Sequence, residues 1–257
     1  MTRDERRAAL EVIASEVRAC TGCRLHEGRT RAVPGEGDPD TEVVCVGEGP
    51  GFNEDREGRP FVGRAGGMLV RLLGSVGWQR EDVFITNVVK CRPPDNRDPQ
   101  PDEIAACAPF LRRQLEVLDP AVVVTLGRYS MGTFIPDARI GQAHGTTHAA
   151  DPATGARNAL VFAMYHPAAA LRSPGVERDS FSDMALVPSV LVRARELRGE
   201  GRAATASAGA TEPTMDGAPT TAPETPPSPS PEPEFGPSLA LTVAEPAPDE
   251  ASQLTLF

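Results

Sequence analysis

The run Ala121–Leu126 (AVVVTL) constrains the fold more than any other stretch of the chain. It carries no charge and does not alternate apolar with polar residues, so it reads as a strand buried on both faces of a sheet. Three further β-rich runs accompany it: Glu42–Gly47 (EVVCVG), Asp82–Val89 (DVFITNVV) and Ala159–Tyr165 (ALVFAMY). The segments between them have helical spacing instead. Arg3–Ala19 places Leu10, Val12, Ile13 and Val17 on one side, and Gly67–Val76 does the same with Met68, Leu69, Leu72 and Leu73. Pro101–Leu118 begins with acids near its positive end, and Gly127–Phe134 and Phe181–Leu197 read as two more helices. Strands that alternate with helices predict an α/β layered domain around a mostly parallel sheet.

In such sheets ligands bind beyond the carboxyl ends of the strands. Three features fall there: the GEGPG turn (47–51) after the first strand, Asn87 late in the second, and His166 after the fourth. Their convergence points to function, which fold class alone does not supply.

The composition divides the chain. The 59 residues from Gly199 onward hold 11 prolines and nine acids against one arginine, too few apolar side chains to repay ordering. Residues 1–198 are therefore expected to form the domain, 199–252 a linker, and 253–257 (QLTLF) an apolar end. Most of the net charge of -10 lies in the linker, because residues 1–198 carry 25 basic and 27 acidic side chains. An acidic chain of this kind can still bind nucleic acid, through a local basic face. Met1–Glu16 is charged rather than apolar, so no secretory signal is expected, and no run approaches the roughly 20 apolar residues of a membrane span. Five cysteines, an odd number, argue against a disulfide framework and for a reduced, cytoplasmic setting.

Four of those cysteines form the pattern Cys20-x2-Cys23, 67 residues, Cys91-x15-Cys107. A CxxC at a helix end, with two more thiols in a loop and the next helix, suits a four-thiolate metal site. Spacing alone does not choose between zinc and iron. Cys45, between two strand valines, reads as a small buried apolar residue.

The stretches GEGPGFNEDREGRPFVGRAG (47–66), TNVVKCRPPDNRDPQPDEIAAC (86–107) and YHPAAALR (165–172), with CTGC (20–23), resemble family 4 uracil-DNA glycosylases, the iron–sulfur branch of that superfamily. The resemblance covers residues 20 to about 197. It implies a three-layer αβα fold around a four-stranded parallel sheet, and a [4Fe–4S] cluster on Cys20, Cys23, Cys91 and Cys107. It also implies hydrolysis of the bond between uracil and its sugar in single- or double-stranded DNA, as the first step of base excision repair.

The residues offer parts for that chemistry. The base must leave the stack, at a cost of a few kcal/mol. Phe61 is a candidate platform beneath it. The Asn87 amide can both donate and accept, matching O4 and N3–H of uracil and opposing cytosine. The resemblance assigns His166 a hydrogen bond to O2 as negative charge develops there. Glu48 and Glu54 are the acidic candidates for holding water or steadying the sugar cation, Glu48 first, while Gly49 and Gly51 let the backbone approach the ligand. Related family 1 enzymes carry an aspartate where this chain has Gly49. The loop Arg92–Gln100 lacks the histidine with which another branch forms a covalent adduct, so ordinary turnover is expected. Leu171 and Arg172 are candidates for filling the duplex gap or holding phosphates. His26, His144 and His148 receive no role. The competing readings are a non-catalytic DNA-binding accessory protein and a zinc scaffold.

Gln253, Leu254, Thr255, Leu256 and Phe257 resemble the pentapeptide that binds the bacterial sliding clamp, with apolar anchors at Leu254, Leu256 and Phe257 and a polar register at Gln253. The linker would tether a monomeric enzyme to the replication fork, at the nucleoid. Deleting 253–257 is expected to abolish clamp binding in surface plasmon resonance while short oligonucleotides are processed as before; equal clamp affinity of the truncated chain contradicts this.

Overall fold

A computed structural model describes residues 1–208, with side chains as far as Gly199. In chain order the helices are α1 (Arg3–Ala19), α2 (Leu25–Gly28), α3 (Phe52–Glu57), α4 (Arg64–Ser75), α5 (Pro101–Leu118), α6 (Arg128–Phe134), α7 (Ile140–Ala143), α8 (Pro167–Ala170) and α9 (Pro174–Ala208). The strands are β1 (Glu36–Gly37), β2 (Val43–Gly47), β3 (Phe84–Asn87), β4 (Val122–Leu126), β5 (Thr147–Ala149) and β6 (Leu160–Met164).

The four apolar runs form the parallel centre of one sheet, in the order β3-β2-β4-β6. Two short antiparallel strands extend it to six, β1 beside β3 and β5 beside β6. Neither edge strand was legible as one: β1 has two residues and β5 three, too short for a period-2 pattern. From β2 the chain moves outward to β3 and then returns to β4 on the other side. That reversal opens a crevice at the carboxyl ends, where Gly47 and Asn87 are direct neighbours in register.

The period of two sorts the strand residues between two layers. Val43, Cys45, Val122, Val124, Leu126, Phe162 and Met164 face one way, against Met68, Leu69, Leu72 and Leu73 of α4 and Met184 and Val187 of α9. Val44, Val46, Val123 and Val161 face the other, against Ile13 and Val17 of α1 and Leu111, Leu115 and Leu118 of α5. The result is the expected αβα sandwich. Helix α1 starts on a reciprocal cap between Thr2 and Glu5, and α5 on one between Gln100 and Glu103 with Pro101 at its first position.

The last helix is longer than its periodicity suggested. Pro174 opens it, as proline can in a first turn, so α9 begins seven residues before Phe181. It also runs to Ala208, ten residues into the stretch whose composition suggested linker. The rest of that stretch, and the pentapeptide 253–257, lie outside the described residues. Among the described residues no helix is long and apolar enough to cross a membrane.

Candidate active site

Gly47 ends β2 opposite Asn87, and its missing side chain makes room for two others. A Cβ there would collide with Asn87 Oδ1 and lie 2.6 Å from Cζ of Phe61. The Phe61 ring is in turn 5.8 Å from the His166 ring, centroid to centroid. Three segments far apart in sequence thus bring an aromatic ring, a carboxamide and an imidazole together at the carboxyl end of the sheet.

Each is held in place. Phe61 is buried with φ of 51°, a left-handed conformation that costs a non-glycine residue energy and persists only where surroundings enforce it. Here Arg80, paired with Glu36, donates to the carbonyls of Pro60 and Phe61, while Glu54 Oε1 accepts the next two amides, Val62 at 3.0 Å and Gly63 at 2.8 Å. Asn87 is 1% exposed, and its Oδ1 is buried without a hydrogen-bond partner among the described residues. Native structures rarely leave such a group unpaired, so it is open to a donor from outside the described residues. His166 caps α8 by accepting the Ala168 N–H on Nδ1 at 3.1 Å. That bond puts the proton of the neutral ring on Nε2, the nitrogen left as donor. Burial lowers the His166 pKa from its ordinary 6.5 to about 4, Arg172 pushing the same way and Glu54 opposing. Gly127, at φ +93°, lets the backbone pass His166, since a Cβ would sit 2.9 Å from that of the histidine.

The acids divide by role. Glu48 is half-buried beside Gly47, and burial raises its carboxyl above the usual range, with Asp98 adding to this and Arg128 opposing. A side chain at Gly49 would meet Val89 Cγ2 at 2.7 Å, so an acid there would displace the wall behind it. Glu54, through the amides it accepts, braces the loop carrying Phe61. Asp55 is buried and accepts the Thr30 amide at 2.9 Å.

One residue at the centre escaped sequence reading. Lys90 is fully buried and donates to Thr86 Oγ1 at 2.6 Å, to the Asn87 carbonyl at 2.7 Å and to Gln114 Oε1 at 2.7 Å. Burial lowers its pKa to about 8. The available signal was frequency: Lys90 is the single lysine among 26 basic residues. Three converging acceptors suit an ammonium, whereas a planar guanidinium would not reach all three.

Directly behind lies the cysteine site. Cys20, Cys23, Cys91 and Cys107 line one pocket with His26, Arg29 and Phe110. None forms a disulfide. N–H groups point at three of the sulfurs: Gly22 at Cys20 (3.4 Å), Arg29 at Cys91 (3.1 Å) and Lys90 at Cys107 (3.2 Å). Donors of this kind complement thiolates. Among the described residues no three Cys, His, Asp or Glu side chains gather closely enough to hold one ion. Cys45 is wholly buried in β2, and burial pushes its thiol up to about 12, as fits an inert core residue.

Around the mouth the surface is apolar and basic. Leu171, 36% exposed, and Arg172 follow α8 immediately. Most arginines are paired with acids; among those of the described residues that form no ion pair with a carboxylate, Arg56, Arg64, Arg92 and Arg172 lie on segments bordering the site, while Arg29, Arg31, Arg139 and Arg178 lie on others. His144 is bonded to Asp183 at 2.9 Å and packs against Tyr165, with ring centroids 4.4 Å apart.

Residues 34–186 match the Uracil DNA glycosylase superfamily. The chain is 46% identical to a type-4 uracil-DNA glycosylase of Saccharolobus solfataricus, over 71% of this chain and 86% of that one. Identity to the type-4 enzyme of Thermotoga maritima is 51%, over 54% and 71%. A type-5 uracil-DNA glycosylase of Thermus thermophilus is 33% identical over 66% and 81%.

The His166 environment gives a testable pH signature. Its folded pKa lies below that of the unfolded chain, so unfolding takes up a proton between about pH 4 and 6.5, and this group costs stability as pH falls through that window. In 15N NMR the ring is expected to remain the neutral Nε2-protonated tautomer at pH 5.5; a titration midpoint near 6.5 contradicts the assignment.

Proposed function

Because the chain belongs to the uracil-DNA glycosylase superfamily, in its type-4 branch, we propose that the cluster around Gly47 is the pocket in which it releases uracil from DNA. The observation that carries this is the orphaned Asn87 Oδ1 beside the Phe61 ring. An extruded uracil stacks on Phe61 and offers N3–H to that oxygen, and the Asn87 amide N–H reaches O4. Cytosine, with a bare N3 and an amino group, leaves both unpaired.

As the glycosidic bond lengthens, electrons move onto the base and positive character onto the sugar. His166, neutral and protonated on Nε2, donates to O2 where the charge collects. It needs no proton from solvent, because its low pKa keeps it in the required state. Glu48 orients the water that attacks the sugar carbon, and its carboxylate form steadies the cation. Glu54, Gly49 and Gly51 shape the turn against which the base and sugar rest. Leu171 fills the space left in the duplex, and Arg172 with Arg56, Arg64 and Arg92 supplies the local basic face for phosphates that a nearly neutral domain requires.

Cys20, Cys23, Cys91 and Cys107 are proposed to hold a [4Fe–4S] cluster. The N–H groups aimed at three sulfurs and the shared pocket support this, as does the chemistry of an all-cysteine donor set. When bound, the cluster would serve as a cross-link between these segments. It ties the end of α1 to the loop at Cys91 and to α5, and so fixes the segment that carries Asn87 and Lys90. The C-terminal pentapeptide is proposed to tether the enzyme, as a monomer in the cytoplasm, to the sliding clamp at the nucleoid.

Single-turnover release of free base from a uracil-bearing oligonucleotide tests the pocket. His166→Ser is expected to slow it roughly 10²–10³-fold with the melting profile retained. Loss of less than threefold, or no release by the intact, iron-loaded chain, overturns the reading. Brown colour and about four irons per chain are expected of an anaerobic preparation, and stoichiometric zinc in active protein would contradict the cluster.

A further inference from the structure

Phe52 is an anomaly on this surface. It opens α3, one residue after the turn that borders the pocket, and is 57% exposed, more than any other aromatic residue among the exposed large side chains of the described residues. Two guanidiniums attend it. Arg92 Cζ is 5.2 Å from the ring centroid and Arg56 Cζ is 5.9 Å. Arg56 comes from the same helix, whereas Arg92 comes from the segment after β3. That segment also walls the pocket, since Pro93 Cδ would lie 3.8 Å from a Cβ on Gly49. The contact therefore bridges the two segments between which the extruded base enters.

Neither arginine is neutralised by a carboxylate among the described residues, although most arginines of this domain are. An exposed ring with two uncompensated guanidiniums stores little energy by itself. It does present what a nucleic-acid strand recognises: a π-face still open to solvent and positive charge at its edge. A base next to an extruded nucleotide has lost a stacking partner on one side, and its flanking phosphates need counter-charge.

We propose that Phe52, with Arg56 and Arg92, is a second nucleobase-stacking site, which takes an unpaired base of the uracil-containing strand adjacent to the extruded nucleotide. It rests on the uracil pocket described above, and it adds a subsite outside that pocket that acts on strand binding. The site is sequence-tolerant, because every base offers a π-face. It favours single-stranded substrate, in which the neighbouring base is free to leave the stack.

The test uses the full iron-loaded chain and a single-stranded oligonucleotide that carries cleavage-resistant 2′-fluoro-2′-deoxyuridine. A fluorescent 2-aminopurine is placed on its 5′ or its 3′ side, at one fixed salt concentration. The unsubstituted chain is expected to change the fluorescence strongly from one of the two positions. Phe52→Ala should abolish that change and weaken binding roughly tenfold, while Phe52→Trp, which keeps a π-face, should retain both. Equal affinity and an equal fluorescence change for Phe52→Ala overturn the proposal, as does a Phe52→Trp variant that behaves like a folded Phe52→Ala. If the unsubstituted chain releases no uracil from a cleavable strand, the pocket assignment itself fails; if it does and Phe52→Ala is silent, only this subsite fails.

Discussion

The arrangement depends on an unpaid hydrogen bond. Asn87 Oδ1 sits at the end of a central strand, buried and without a partner among the described residues. Leaving such an atom unpaired costs about 1–3 kcal/mol, a sizeable part of the stability of an ordinary domain. In the proposed reading, the missing partner arrives with the substrate. In that reading discrimination would follow from the same atom: a base that supplies the donor would relieve the penalty, and a base that does not would leave it in place.

Holding one amide in that state takes a large share of the molecule. Gly47 gives it space, and Phe61 closes the other side in a strained backbone conformation enforced by Arg80 and Glu54. From behind, Lys90 grips the carbonyl of Asn87 and, through Thr86 and Gln114, joins it to β3 and α5. The Lys90 amide also points at Cys107, so the cysteine site and the recognition site share one short piece of backbone. A cross-link at the cysteines would thus stiffen the strand end that carries Asn87.

Much of this was legible in the sequence, for identifiable reasons. The four central strands are apolar on both faces, and that pattern permits few alternatives to a covered parallel sheet. Asn87, His166 and the glycine-rich turn could be placed because strand ends are where such sheets bind ligands. The edge strands Glu36–Gly37 and Thr147–Ala149 were not legible, because pairing with a neighbour, and no pattern of their own, makes them strands. The roles of Glu54 and Asp55 were equally hidden. A carboxylate that accepts backbone amides looks, in sequence, like any loop acid. Lys90 was overlooked for the opposite reason: its rarity was visible, but three acceptors from β3 and α5 had to be seen together before it meant anything.

The most direct measurement compares Asn87→Leu with the unsubstituted chain, in thermal melting and in single-turnover uracil release. Leucine has nearly the same size and no unpaired oxygen. If the amide is kept for the ligand, the variant melts no lower than the parent and releases uracil at least a hundredfold more slowly, roughly the loss of a well-placed polar contact. A variant that melts far below the parent yet still excises uracil at the parental rate would show that Asn87 serves the fold, and would contradict the account.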